Sequence, residues 1–187
     1  MAIGLAIILV LILVVALSLV GVRNGIIRER NLCQEAWSGI DVQLKRRHDL
    51  VPNLAETVKG YATHERQVFE KVSEARAAAM AAHGAGQSAQ AEEHLTGSLA
   101  DLRAVAENYP QLRATENFQQ LAGNLAEIEG QIQASRSTYN ADVRTYNTKI
   151  QVFPNSIVAR WGGFVPMEFF AIGDGAERAP VAVSFEK

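Results

Sequence analysis

Residues 2–22, AIGLAIILVLILVVALSLVGV, carry no charged side chain, and this run constrains the fold more than any other feature of the sequence. As a helix rising about 1.5 Å per residue it reaches roughly 31 Å, close to the hydrocarbon thickness of a bilayer. A lone strand there would leave its backbone N–H and C=O groups unpaired in lipid, whereas a helix pairs its own. A core helix of a soluble domain would show a polar stripe at this length, and none is present. All 18 Lys and Arg and all 20 Asp and Glu fall from Arg23 onward. The run is therefore expected to be a membrane helix.

A cleaved signal peptide competes with that reading. It needs a basic leading region, and nothing but the amino group supplies one. Ala16-Leu17-Ser18 is the nearest small-x-small site, and apolar residues continue past it. No lipobox cysteine stands near the end of the run. Retention as an anchor is expected. Arg23, Arg28, Arg30, Lys45, Arg46 and Arg47 follow the run, so the positive-inside rule places the short N-terminus outside and the remainder in the cytoplasm. Gly21 and Gly25 form a G-x-x-x-G pair, the spacing that lets helices approach closely, but Arg23 and Asn24 interrupt it. A flexible exit from the bilayer is the simpler reading.

With 187 residues, a formal charge of −2 and a pI near 6.1, the chain is no nucleic-acid binder. Cys33 is the single cysteine, so no intrachain disulfide forms; it reads as a small helix-packing residue.

Beyond the anchor the apolar spacing is helical through Phe153. Leu32, Ala36, Trp37, Ile40 and Leu44 make one stripe, continued by Val51, Leu54, Val58 and Tyr61. Pro52 predicts a kink near His48 and Asp49 or a fresh helix start there. Gly60 supplies a stop, and Thr63 a cap for the next helix, 64–82, with stripe Val68, Val72, Ala75, Ala79, Ala82. Residues 84–88 read as a turn with Ser88 as N-cap. A third helix carries Leu95, Leu99, Leu102, Val105 and Tyr109 and ends near Pro110. The fourth is the most regular: Phe118, Leu121, Leu125, Ile128 and Ile132, resumed by Tyr139, Val143, Tyr146, Ile150 and Phe153, with Pro154 ending it. A rod of roughly 50 Å buries such a stripe only against other long helices. The expected fold class is all-α: a single N-terminal transmembrane helix (1–24) followed by an elongated antiparallel four-helix bundle (25–160) with coiled-coil-like packing. An aromatic segment and tail (161–187) complete the chain, loose from residue 173.

Three stretches carry a family resemblance: LKRRHDLVPNLAETVKGYATHE (44–65), LRATENFQQLAGNLAEIEGQI (112–132) and YNADVRTYNTKIQVFPNSIVARWGGF (139–164). In this order and spacing the chain resembles the LemA family over residues 1 to about 172. The resemblance implies a single-pass membrane protein with a long antiparallel helical bundle, no established enzymatic activity and no catalytic residues to transfer. Family members often occur beside small membrane proteins and membrane zinc proteases, which hints at envelope maintenance.

No catalytic constellation is visible. His48, His64, His83 and His94 show no metal-binding i, i+4 pair, the helical serines lack a nucleophile elbow, and no glycine-rich phosphate loop occurs. No cofactor or metal is expected, and no enzyme. Lys45-Arg46-Arg47-His48 reads as a solvated face or as salt bridges across the bundle; reaching anionic headgroups would require the helix to fold back. Tyr139-Asn140 and Tyr146-Asn147 recur seven residues apart, on one side of the rod. Core packing accounts for the tyrosines; Asn140 and Asn147 are candidate register residues, bonding to a neighbouring helix as buried amides do in coiled coils.

The segment 161–172, WGGFVPMEFFAI, holds four of the chain's 13 aromatics, Trp161, Phe164, Phe169 and Phe170, and these are the candidate interaction surface. It either caps the bundle end, rests in a membrane interface or binds another subunit. The expected function is a self-associating scaffold in a bacterial membrane, with the lipid bilayer, further copies and other membrane proteins as partners. A sensory or adaptor module coupled to a second protein is the alternative.

Overall fold

The computed structural model describes residues 2–171. Among these every regular element is helical: α1 (Ala2–Lys59), α2 (Arg66–Ala81), α3 (Gly84–Glu107), α4 (Pro110–Arg113), α5 (Glu116–Gln151) and α6 (Asn155–Trp161). The tail expected from residue 173 lies outside the described residues. Two units divide the chain: the first takes residues through Arg47 with Leu125–Phe169, the second His48–Asn124 with Phe170.

The uncharged run opens α1. Its large apolar side chains from Ile3 to Val20 are exposed, and the helix is long and apolar enough to cross a membrane. Both Gly21 and Gly25 lie inside α1, and a side chain on Gly25 would meet the Lys149 ammonium end.

In the first unit the seam of α1 passes through Ile26, Cys33, Ile40 and Leu44, all buried. These stand seven, seven and four residues apart, the spacing of a heptad seam. Leu32, expected on the stripe, is 40% exposed, because it points a quarter-turn and more away from the line through Ile26 and Ile40; Cys33 takes its place. On α5 the seam is Leu125, Ile132, Tyr139, Val143, Tyr146 and Ile150. Three contacts fix the direction of the pair. Glu29 binds Lys149 at 2.9 Å, the Trp37 and Tyr139 rings lie 5.4 Å apart, and Arg47 Nη2 stands 3.6 Å from Glu129. As numbers rise along α1 they fall along α5, so the two segments run antiparallel.

The second unit is built on Val51, Leu54 and Val58 of α1, Leu95, Leu99, Leu102 and Val105 of α3, and Leu112 of α4. Its α2 packs on α3, with Val72 and Ala79 buried. Pro52 sits inside α1 and starts no new helix. A proline deprives the carbonyl four residues back of its helical donor. Here that carbonyl belongs to His48, and Arg76 Nε donates to it at 2.7 Å. The lost bond is replaced from α2.

Several boundaries differ from the sequence expectation. The N-cap of α2 is Glu65, not Thr63, and no side chain caps it. Residues 84–88 form the first turn of α3 rather than a loop. The chain turns instead at Gly84, whose φ of +79° only glycine adopts without strain. Ala85, Ser88, Ala89 and Glu92 then extend the buried face of α3 upstream of Leu95. Thr115 Oγ1 accepts the Phe118 N–H at the start of α5. This helix stops at Gln151, so Phe153 falls beyond it and is exposed, while Pro154 precedes the short helix α6.

Candidate functional site

The residues after α6 form the most specific polar arrangement of the first unit. Trp161 ends α6, and Gly162-Gly163 turn the chain out of it. Gly163 has φ +68°, its N–H reaches the Arg160 carbonyl, and the Phe164 N–H reaches Ala159 O at 2.9 Å. This is a Schellman motif, in which a left-handed residue lets the last carbonyls of a helix find donors. The Phe164 ring lies over Gly162, where an added Cβ would stand 2.6 Å from it.

From Phe164 the chain runs without regular structure along α5, held by its main chain. Tyr146 Oη donates to Val165 O at 3.0 Å, and Tyr139 Oη donates to Glu168 O at 2.9 Å. Between them the Asn147 amide makes a two-sided contact. Its Nδ2 donates to Met167 O, and its Oδ1 accepts the Met167 N–H, each at 2.9 Å. The spacing explains the fit. Seven helical residues separate the tyrosines by about 10 Å along α5, and three extended residues cover about the same distance. Pro166, which has no N–H to satisfy, falls between the gripped positions. We call this arrangement the clasp.

Burial, with the Cys33 and Glu168 charges adding to it, pushes the Tyr139 hydroxyl up to about 12. Burial also raises Tyr146, against the opposing Arg30 charge. Both phenols therefore remain donors across the physiological range. Cys33 is pushed up to about 11 by burial and by the Asp142 and Glu29 charges, so it is a thiol and a poor nucleophile.

Each candidate residue can now be placed. Asn147 bonds, but its partner is the extended segment and not a helix. Asn140 is half-buried. The four aromatics do not share one surface: Trp161 is 83% exposed, Phe169 38%, Phe164 half-buried and Phe170 fully buried. The basic cluster also divides. Lys45 pairs with Asp41 one turn back, Arg46 is exposed, and Arg47 and His48 are buried.

Sequence reasoning missed a second arrangement, in the second unit. His48 Nε2 and Glu92 Oε1 share a hydrogen bond of 2.6 Å, both groups being buried, while the His48 carbonyl accepts from Arg76. The signal was present in α3: Glu92 precedes Leu95, Leu99 and Leu102 at steps of three, four and three, which puts a carboxylate on the apolar face. A groove of about 580 Å³ in this unit is lined by Val51, Phe69 and Val72 with Arg66, Glu70 and Arg76. Its ions already have partners, since Arg66 binds Glu70 at 2.7 Å and Arg76 binds His48. Among the described residues no group of three or more His, Cys, Asp and Glu is placed to hold a metal ion.

A protein whose described regular elements are all helical, opened by one long apolar helix and with residues 165–168 clasped against α5, is the class these features define. The chain belongs to the LemA family, which matches residues 36–185. The stretches 44–65, 112–132 and 139–164 all fall inside that match, and they contain His48 and the clasp side chains Tyr139, Tyr146 and Asn147. Among curated relatives, Magnetosome protein MamQ 2 of Paramagnetospirillum magneticum is 26% identical over 73% of this chain and 60% of its own length. Magnetosome protein MamQ of Magnetospirillum gryphiswaldense is 24% identical over the same shares. Protein LemA of Metamycoplasma hominis is 26% identical over 75% of this chain and 65% of its own length. The chain thus spans about three-fifths of the length of the magnetosome relatives it matches, and none of these names is that of an enzyme.

Proposed function

We propose that this chain is a membrane-anchored helical scaffold that self-associates and has no catalytic activity of its own. In this reading 2–22 stays in a bacterial cell membrane with the N-terminus outside, and the helices after it form an antiparallel four-helix bundle in the cytoplasm. The observation that carries it is the bare apolar surface from Ile3 to Val20, which demands a cover that water cannot give. Retention of the anchor is supported by the course of α1, which passes from that surface through Gly21 into the buried seam at Ile26 and Cys33. A scaffold role is supported by the buried charged residues, since His48 pairs with Glu92 and Arg47 with Glu129, as parts of a packed framework do.

The test is to express the full chain, wash membranes with carbonate, extract in mild detergent and measure the particle mass. A membrane-retained homo-oligomer is the expected result. A carbonate-soluble chain would refute the anchor. A monomer with one defined partner would replace the scaffold with the adaptor reading.

A further inference from the structure

We propose that α6 and its flanks form a second membrane contact, a side foot that lies in the headgroup region next to the point where α1 leaves the bilayer. The proposal rests on the anchor reading above and extends it to a new surface.

The first observation is position. Within the first unit α5 runs antiparallel to α1, bringing Lys149 beside Glu29, seven residues past the end of the uncharged run. The chain then continues in the same sense, and Ile157, Trp161 and Gly162 meet Leu19, Val20 and Arg23 across a shallow apolar pocket. If α1 is embedded from Ile3 onward, these residues of α1 stand where the hydrocarbon ends. Ile157 and Trp161 stand at that same depth.

The second observation is composition of the exposed surface. Beyond Val20, ten large apolar side chains are left exposed among the described residues, and four of them, Val152, Phe153, Ile157 and Trp161, fall on α6 or just before it. Phe153 is 80% exposed and Trp161 83%, with Ile157 exposed between them in sequence. Ile157 and Trp161 are four apart on α6, hence on one face. The opposite side of α6, Val158 and Ala159, is buried in the unit. Such a cluster is too large to leave in water, and it is continuous with the bare surface of the anchor through the pocket at Leu19 and Val20.

The third observation is charge and chemistry. Arg23 and Arg160 are exposed at the edges of the cluster. Tryptophan beside arginine at the end of a span is what the headgroup layer favours, the ring at the ester level and the cation among phosphates. The foot is also stiff. The Schellman turn at Gly163 and the Tyr146 bond to Val165 hold the chain after Trp161, and the buried Val158 and Ala159 hold the helix before it. A lipid surface is therefore the occupant, and a second copy of the chain is the competitor the test must separate.

The chain has two tryptophans, Trp37 and Trp161, so Trp37→Phe leaves Trp161 as the only reporter. The full-length variant is reconstituted into phosphatidylcholine–phosphatidylglycerol vesicles carrying spin-labelled lipids, the label set either near the headgroup or near the chain end. A ring lying about 5–10 Å into the boundary predicts blue-shifted emission and roughly twofold stronger quenching by the shallow label than by the deep one. Aqueous iodide is expected to quench weakly. If the vesicles float with the protein but Trp161 responds to iodide and to neither lipid label, the foot is wrong and the anchor stands. Shielding from both iodide and lipid labels, growing with protein-to-lipid ratio, assigns the patch to a second copy and overturns the proposal. Protein that fails to float removes the anchor, and the foot with it.

Discussion

At the residue scale the clasp is the arrangement with the sharpest consequences. Asn147 exchanges two hydrogen bonds with the main chain of one residue, which neither a shorter nor a singly functional side chain can do. Asn147→Ala is expected to lower stability by about 2 kcal/mol, and to release the Met167 amide to hydrogen exchange at least tenfold faster. Asn147→Asp keeps the acceptor and loses the donor, so it should fall between wild type and alanine in urea midpoint. The buried His48–Glu92 pair predicts a different pattern. Removing one partner strands the other, so Glu92→Leu should cost about 3 kcal/mol, while Glu92→Leu combined with His48→Leu should cost less than the sum of the two single changes. Equal additivity in urea unfolding would mean that the two groups do not act as a unit. Neither arrangement was legible as such. The Tyr-Asn repeat announced two positions on one side of a helix, but its partner is an irregular segment with no period to read.

At the element scale, helix identity was more legible than helix ends. The seams of α3 and α5 follow from the spacing of Leu95, Leu99 and Leu102 and of Tyr139, Val143 and Tyr146, because a strict period survives without knowledge of the partner. The stripe of α1 was read one position off at Leu32, since leucine and cysteine compete on hydrophobicity while the seam is chosen by geometry. The first turn of α3 was read as a loop because glycine and serine resemble turn chemistry whether or not a buried face lies beneath them. Pro52 is the clearest case of a local rule answered by a distant residue. Its missing N–H leaves the His48 carbonyl to Arg76, which comes from another helix. Arg76→Met is therefore expected to cost about 1.5 kcal/mol in the native chain, but less than half of that when Pro52→Ala restores the helical donor. Thermal unfolding of the four members of the cycle measures the difference.

At the scale of the whole molecule, the buried acids predict how stability changes with pH. Cys33 and Tyr139 hold their protons to about 11 and about 12, above their ordinary values of 9.0 and 10.0. The unfolded chain releases those protons first. Their contribution is complete below pH 9 and is lost as pH rises through 11 and 12, so the urea midpoint should be flat from pH 7 to 9 and fall steadily above it. Absorbance near 295 nm should show Tyr139 ionising near pH 12, and Tyr146 above the ordinary range of a phenol. The family and the all-helical class were legible at this scale, from the uncharged run and three ordered stretches. The division of the aromatics was not: Phe169 and Phe170 are adjacent, yet one is exposed and the other buried, a choice made by tertiary packing.

The clasp has one more implication, for what can be altered. Every grip in it closes on peptide atoms, so the slot along α5 measures length and is indifferent to side-chain identity. Exchanging Val165 for a polar or labelled residue should leave the strap seated, whereas deleting one amino acid between Val165 and Glu168 would prevent the Tyr146 and Tyr139 bonds from forming at the same time. Homologues are thus free to rewrite the lettering of this strap as long as they keep its gauge.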